Sequence, residues 1–191
     1  MSYSQDNEEV VILEHFGARV GKFLDIGAAD GIHFSNTRAL VERGWGGVMV
    51  EPSPRQFMQL WELYKNHTGI VLVNAALSAF AKLVPFHYSP DTVVNTINKD
   101  VHEEWARDFT YWQWKIFTLP VERFLEEFPY TFDFVSIDAE GESWTIAKEL
   151  LAYKMRSELL CVEHDKNQLT AIDGYKLIHS NGNNTIWKLG A

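Results

Sequence analysis

Short, nearly continuous apolar runs alternate along this chain with longer stretches whose apolar residues recur at helical spacing. GKFLDIG at 21–27, GGVMVE at 46–51, residues 70–77, FDFVSID at 132–138 and ELLCVEH at 158–164 read as strands buried on both faces. Residues 4–17 predict a first helix, with Val10, Val11, Leu13 and Phe16 as its apolar positions. Ser35 opens a second helix that runs to Arg43 and is closed by Gly44. In the segment 53–66, Ser53 is placed as N-cap, Pro54 at the first helical position and Gln56 to complete a capping box. Phe57, Leu60, Trp61 and Tyr64 then fall on one face. A helix starts at Pro120, buries Val121, Phe124, Leu125 and Phe128, and stops at Pro129; another covers 142–152.

Three stretches depart from this rhythm. Residues 82–88 predict an extra strand after a turn. Residues 89–115 read as irregular and aromatic, with a short helix near 100–109. Residues 175–180 and 184–189, joined by Asn181-Gly182-Asn183, predict a terminal hairpin. The alternation of strand and helix implies an α/β fold with a mostly parallel sheet, helices on both faces, and an antiparallel strand contributed by the hairpin.

Composition narrows the partners. The chain has 191 residues, which suits one domain. Its formal charge of −9 weighs against a nucleic-acid partner. One cysteine, Cys161, rules out an intramolecular disulfide and a cysteine-based zinc site, and fits a reducing, cytoplasmic setting. The first ten residues lack the pattern of a signal peptide, and no apolar run approaches a membrane span.

In an open parallel sheet, ligands bind beyond the carboxyl ends of the strands, where the strand order reverses. Polar and acidic residues stand at those ends here: Asp25 to Gly31, Glu51, Asn74, Asp138 to Glu142, and Glu163 to Asp165. Gly27, Ala29 and Gly31 make a loop that admits close backbone approach. The helix after it is expected to direct free amides at a carboxylate or phosphate. Glu51 lies 24 positions beyond Gly27, close to the spacing at which an acid accepts ribose hydroxyls. Ile32 stands where a dinucleotide loop needs its third glycine, and no phosphate-loop lysine follows. An adenosine ligand without a pyrophosphate is therefore favoured over a nicotinamide cofactor.

DIGAADG, SNTRALVERGW and GGVMVEPSP, then FTLPVERFLEEF, FDFVSIDAEGES and LLCVEHD, follow one another as in the FkbM-type group of class I methyltransferases, which the chain resembles over about residues 4–189. The resemblance implies a Rossmann-like fold with a seven-stranded sheet. It implies S-adenosylmethionine as cofactor and O-methylation of a sugar, glycan or other small hydroxyl compound. It places Gly27, Ala28, Ala29 and Gly31 around the methionine part, Glu51 on the ribose, Pro52 and Ser53 beside the adenosine, and Asn74 and Ala75 near adenine, with Asp25, Asn36 and Asp138 as further cofactor-binding positions. One departure stands out: the third acid of the usual Asp-x-Glu-Gly-x-Glu is displaced to Glu142, with Ser143 after it.

Transfer to a hydroxyl calls for a base at the acceptor. Asp138, Glu140 and His164 are the candidates: Asp138 orienting cofactor or acceptor, and His164 or Glu140 taking the proton. The same three could assemble a divalent metal site, the less favoured option. The stretch 89–115, with Trp105, Phe109, Tyr111, Trp112 and Trp114, is a candidate acceptor lid, set against the reading that its rings simply pack on the sheet. Residues 1–20 are expected to be an N-terminal helical segment of the single domain 1–191. A non-catalytic cofactor-binding domain is the competing function.

Overall fold

Period-two alternation in the central strands decides which helices cover which face of the sheet. The computed structural model describes residues 2–90 and 95–190. In chain order the elements are α1 (Glu8–Phe16), β1 (Lys22–Ile26), α2 (Arg38–Glu42), β2 (Gly46–Val50), α3 (Pro54–Tyr64), β3 (Ile70–Val73), β4 (Ala76–Ser78) and β5 (Leu83–Tyr88). They continue with α4 (Lys99–Trp105), β6 (Trp112–Pro120), α5 (Val121–Glu127), β7 (Phe134–Ile137), α6 (Ser143–Ala152), β8 (Leu159–Glu163), β9 (Tyr175–Ser180) and β10 (Asn184–Leu189).

The main sheet has the order β3-β2-β1-β7-β8-β10-β9. Its first five strands run parallel, and β10 pairs antiparallel with both β8 and β9. Leu24, Ile26, Val48, Val50, Val135, Ile137, Leu160 and Val162 point to one face, where Phe124 of α5 and Trp144, Ile146 and Leu150 of α6 pack on them. Phe23, Met49, Phe134, Leu159 and Cys161 point to the other, under Ile12 and Phe16 of α1, Leu40 of α2, and Leu60 and Tyr64 of α3. Each buried Leu, Ile or Phe contributes about 1.5–3 kcal/mol of burial, so a one-residue slip of any strand would carry the wrong set into both layers. The α/β class, the seven-stranded sheet and the antiparallel C-terminal hairpin expected from the sequence are all present. Among the described residues, no helix is long and apolar enough to cross a membrane.

Several local expectations are corrected. The run 70–77 is two strands: Asn74 turns its amide onto the Glu51 carbonyl at 2.7 Å, the ladder with β2 ends at Val73, and β4 joins a second sheet. That sheet has the order β4-β6-β5. The helix expected from Ser35 begins only at Arg38, because the Ser35 hydroxyl caps the amides of Thr37 and Arg38 in a turn ahead of it. The capping box on α3 does not form: Ser53 Oγ is buried without a partner, and Gln56 accepts from Asn95 at 3.1 Å. Consequently α3 buries Gln56, Leu60 and Tyr64, while Trp61 stays exposed. The stretch 89–115 carries α4 and the start of β6; its residues 91–94 lie outside the described residues.

Candidate functional site

A cleft opens above the carboxyl ends of β1, β2 and β7, where the strand order reverses between β1 and β7. It encloses about 960 Å³, part of it continuous with solvent.

Gly27 makes the junction possible. It has φ 83°, and a Cβ there would overlap the carbonyl oxygen of Asp138 across the β1–β7 boundary. Its amide and that of Ala28 both donate to the Val50 carbonyl, which ties the loop to β2. Ala29 follows in the left-handed region at φ 48°, and its amide donates to Glu51 Oε2 at 2.9 Å. The other oxygen, Oε1, accepts from the Ser53 amide at 2.7 Å. Glu51 is 4% exposed, and its carboxyl is pushed up to about 7 by burial, against the pull of those two amides. Each oxygen keeps a lone pair for a further donor.

Beside it, Asp25 is also raised to about 7 by burial, although it accepts the Thr37 hydroxyl at 2.5 Å. Asn36 donates to Ser136 Oγ at 3.2 Å, but its own Oδ1 is buried without a partner. Asp138, Glu140 and Glu163 form a third group, with one oxygen of each within 4.8 Å of the others. All three are held above the ordinary carboxylate range, first by burial; Glu140 and Glu163 are raised further by the charge on Asp138. The hydrogen bond between Asp138 and Glu163 favours the charged form of Asp138 and the neutral form of Glu163. The Ser143 hydroxyl accepts the Ala139 amide at 2.8 Å and donates to Glu163 at 2.9 Å, locking this loop to β8. These three oxygens could ligate a hard divalent cation.

The segment after β5 closes the far side. Thr96 pairs with His87 and donates its hydroxyl to the Glu140 carbonyl at 2.7 Å, where Glu140 has φ 42°. Asn98 donates to the Gly141 carbonyl at 3.1 Å while its Oδ1 caps α4. Glu140 thus holds a backbone conformation that costs a non-glycine residue about 1–3 kcal/mol, pinned by the neighbouring segment.

Of the residues singled out in the sequence, Asp25, Gly27, Ala28, Ala29, Asn36, Glu51, Pro52, Ala75, Asp138 and Glu140 all line the cleft. Four do not. Asn74 is turned to the backbone of Glu51 and Pro52. Ser53 contributes its amide to Glu51. Gly31 packs under α3, where a Cβ would meet Leu60 Cδ1 at 2.6 Å. His164 follows the end of β8, with its amide on the Asn183 carbonyl at 2.7 Å; Glu163 stands with Asp138 and Glu140 in its place. Trp105, Phe109, Tyr111, Trp112 and Trp114 are also outside the lining, and Trp114 packs on Phe86 and Tyr88. The insert reaches the cleft instead through Asn95, Thr96 and Ile97. Sequence reasoning missed these three, and it named Glu163 only among the acids at the strand ends, without a role in the site. Glu163 was within reach, because it shares a strand face with Cys161; Asn95 to Ile97 carried no periodic signal.

Among the described residues that line the cleft, the charged groups are Asp25, Glu51, Asp138, Glu140 and Glu142, with His33 paired to Asp30 at 2.6 Å and no lysine or arginine. A methyltransferase FkbM domain model matches residues 25–146. No curated protein sequence matches the chain. Among solved structures, the chain is similar to an Escherichia coli protein described as a methyltransferase, yhhF, at 11% identity and a TM-score of 0.56, covering 98% of this chain and 88% of that one. It is similar to a Haemophilus influenzae protein described as a methylase at 12% identity and a TM-score of 0.57, covering 98% and 90%. It is also similar to methyltransferase FkbM from Methylobacillus flagellatus KT at 13% identity and a TM-score of 0.59, covering 97% of this chain and 48% of that one. At such identities the likeness is one of fold.

Proposed function

Since the chain belongs to the methyltransferase FkbM domain family, we propose that it is an S-adenosylmethionine-dependent O-methyltransferase acting on a hydroxyl of a sugar, glycan or other small molecule. The observation that carries this reading is Glu51, a buried acid at the end of β2 with both oxygens oriented by loop amides and a lone pair left on each. Two vicinal ribose hydroxyls match that acceptor pair. Pro52 and Ala75 line the cleft beside it and suit an adenine ring. The unpaired Asn36 Oδ1, with Asp138 nearby, suits the ammonium of an amino-acid tail.

The charge of the cleft supports the same choice. A pyrophosphate would meet carboxylates and no cation, and α2 is one turn that starts eleven positions after Gly27. A nicotinamide dinucleotide therefore fits poorly. A ligand carrying a sulfonium and an ammonium fits well. When bound, this cofactor supplies an electrophilic methyl group. The chain's own task is to hold a hydroxyl in line with it and to accept the hydroxyl proton. Glu140 is the assigned base: it lines the cleft, and Thr96 and Asn98 pin its loop. Asp138, hydrogen-bonded to Glu163, orients the reacting partners. The net charge of −9 and the single buried Cys161 accord with a small-molecule partner in a reducing cytoplasm rather than a nucleic acid.

Isothermal titration with S-adenosylmethionine and S-adenosylhomocysteine tests the cofactor, and labelled methyl transfer to a panel of polyols tests the chemistry. Binding by the wild type that weakens in Glu51→Gln is expected. Absence of heat with either compound overturns the reading; tight binding with no transfer to any hydroxyl would make this a non-catalytic binding domain.

A further inference from the structure

The α-carboxylate of the proposed cofactor needs a partner that most of the cleft withholds. Among the described lining residues there is no lysine or arginine, and the carboxyls of Asp25, Glu51, Asp138, Glu140 and Glu142 bring no positive charge, protonated or not. His33 is the lining side chain that can carry one. Its Nδ1 lies 2.6 Å from Asp30 Oδ2, while Asp30 Oδ1 accepts the amides of Ile32 and His33, each at 2.9 Å. Burial works against a charge on Asp30, but the His33 ring and the two amides outweigh it and hold the carboxyl below its ordinary range. Asp30 is largely covered, whereas the His33 side chain is 72% exposed. With Nδ1 committed to Asp30, Nε2 is the nitrogen left for a ligand. Phe34 follows in the lining of the same cleft, 54% exposed and held at φ 59°. That conformation costs a bulky residue about 1–3 kcal/mol, and so exposed a ring gains little packing in return. A strained loop is therefore kept where it borders the cleft.

From this arrangement we infer that the Asp30–His33 pair is the seat of the cofactor's α-carboxylate, with the protonated His33 ring donating to it from Nε2. The inference rests on the S-adenosylmethionine reading above and adds to it the residue that recognises the anionic end of the amino-acid tail. The ligand's own geometry supplies the position. Ammonium and carboxylate share one carbon, so an ammonium at Asn36 Oδ1 puts the carboxylate beside the same loop, three positions from His33. An imidazolium set between Asp30 and that carboxylate makes charge-assisted hydrogen bonds to both. A cleft without lysine or arginine thereby accepts a zwitterionic tail and disfavours analogues that lack the carboxylate. The charge on His33 is lost as pH rises while that on Glu51 is gained, so the two act oppositely on cofactor binding.

Titration calorimetry on the full chain tests this at about pH 6, where an imidazole is mostly charged. The probes are S-adenosylhomocysteine and its decarboxylated analogue, which keeps the ammonium and lacks only the carboxylate. The wild type is expected to bind S-adenosylhomocysteine at least about fivefold more tightly than the analogue. His33→Ala should remove that preference by weakening S-adenosylhomocysteine alone, with the analogue held within about twofold. An unchanged melting temperature reports that the variant is folded. A wild type that binds both alike or favours the analogue, a preference that survives His33→Ala, or equal weakening of both ligands overturns the inference. If neither ligand binds the wild type, the underlying reading falls instead, and the two failures are thereby told apart.

Discussion

Gly27 and Asp138 meet so closely across the β1–β7 boundary that a Cβ on the glycine would overlap the aspartate's carbonyl oxygen. The contact sits at the reversal of strand order, and it sets the floor of the cleft. Gly27→Ala must both leave φ 83° and push the strand ends apart. The expected cost is about 2–4 kcal/mol of stability, together with loss of S-adenosylhomocysteine binding. Chemical denaturation and titration calorimetry check the two effects separately; an alanine variant as stable as the parent would show that the loop can relax.

Glu51→Gln keeps an acceptor for only one of the Ala29 and Ser53 amides and turns an NH2 on the other; the loss is local, about 1–3 kcal/mol, so the fold should persist. The change weakens any bond that relies on a charged acceptor, each worth about 1.5–3 kcal/mol. A rise in the dissociation constant for S-adenosylhomocysteine of at least about tenfold is expected. An unchanged constant would remove Glu51 from the cofactor's sugar.

The buried acids give the ligand-free protein an unusual pH dependence. Asp25 and Glu51 are held at about 7, above their ordinary values of 3.8 and 4.5. Between those limits the folded protein keeps protons that the unfolded chain has released, so stability should fall as pH rises from 5 to 8. Asp138, Glu140 and Glu163 act in the same direction. Glu8, Asp30 and Glu158 are held below their ordinary values and oppose it only in more acidic solution. Each kcal/mol lost lowers the melting temperature by roughly 2–4 °C in a chain of this size, which scanning calorimetry resolves. Hydroxyl donors on Glu51 favour its charged form, so His33→Ala, which lacks the opposing imidazole, should bind S-adenosylhomocysteine more tightly at pH 8 than at pH 6 and release a proton on binding near pH 7. Proton uptake, or a melting temperature that climbs across this range, would contradict the assigned burial effects.

Thr96→Val removes the donor that pins the Glu140 carbonyl. The methyl transfer rate should drop about tenfold or more through misplacement of the base, with S-adenosylhomocysteine binding held within about twofold. Thr96→Ser should restore the rate. Equal loss of both functions would make the segment a general support.

Ser53→Ala separates the sequence pattern from the structure. As a working N-cap, Ser53 would cost about 1 kcal/mol when lost. Its hydroxyl has no partner here, so the variant should be neutral or slightly stabilising in urea denaturation.

The alternation of apolar residues in β1, β2, β7 and β8 determines the sheet and both of its layers, because a strand buried on two faces has no other low-energy register. The chain order of Gly27, Glu51 and Asp138 places them together for the same reason: each ends a strand of one parallel sheet, so local pattern and position coincide. Tertiary contacts decided the rest. Gln56 belongs to a capping box by spacing, yet it meets Asn95, 39 positions away, once the insert folds over α3. Glu163 rather than His164 joins the acid group because the pleat turns alternate residues to opposite faces, and only the packed sheet decides which face is the cleft. Asn95 to Ile97 reach the site through a bridge to His87 and bonds to the Asp138–Glu142 loop, interactions between parts of the chain distant in sequence. Periodicity reports what a residue does to its own strand or helix, whereas the shape and charge of the cleft arise where separate elements close on one another.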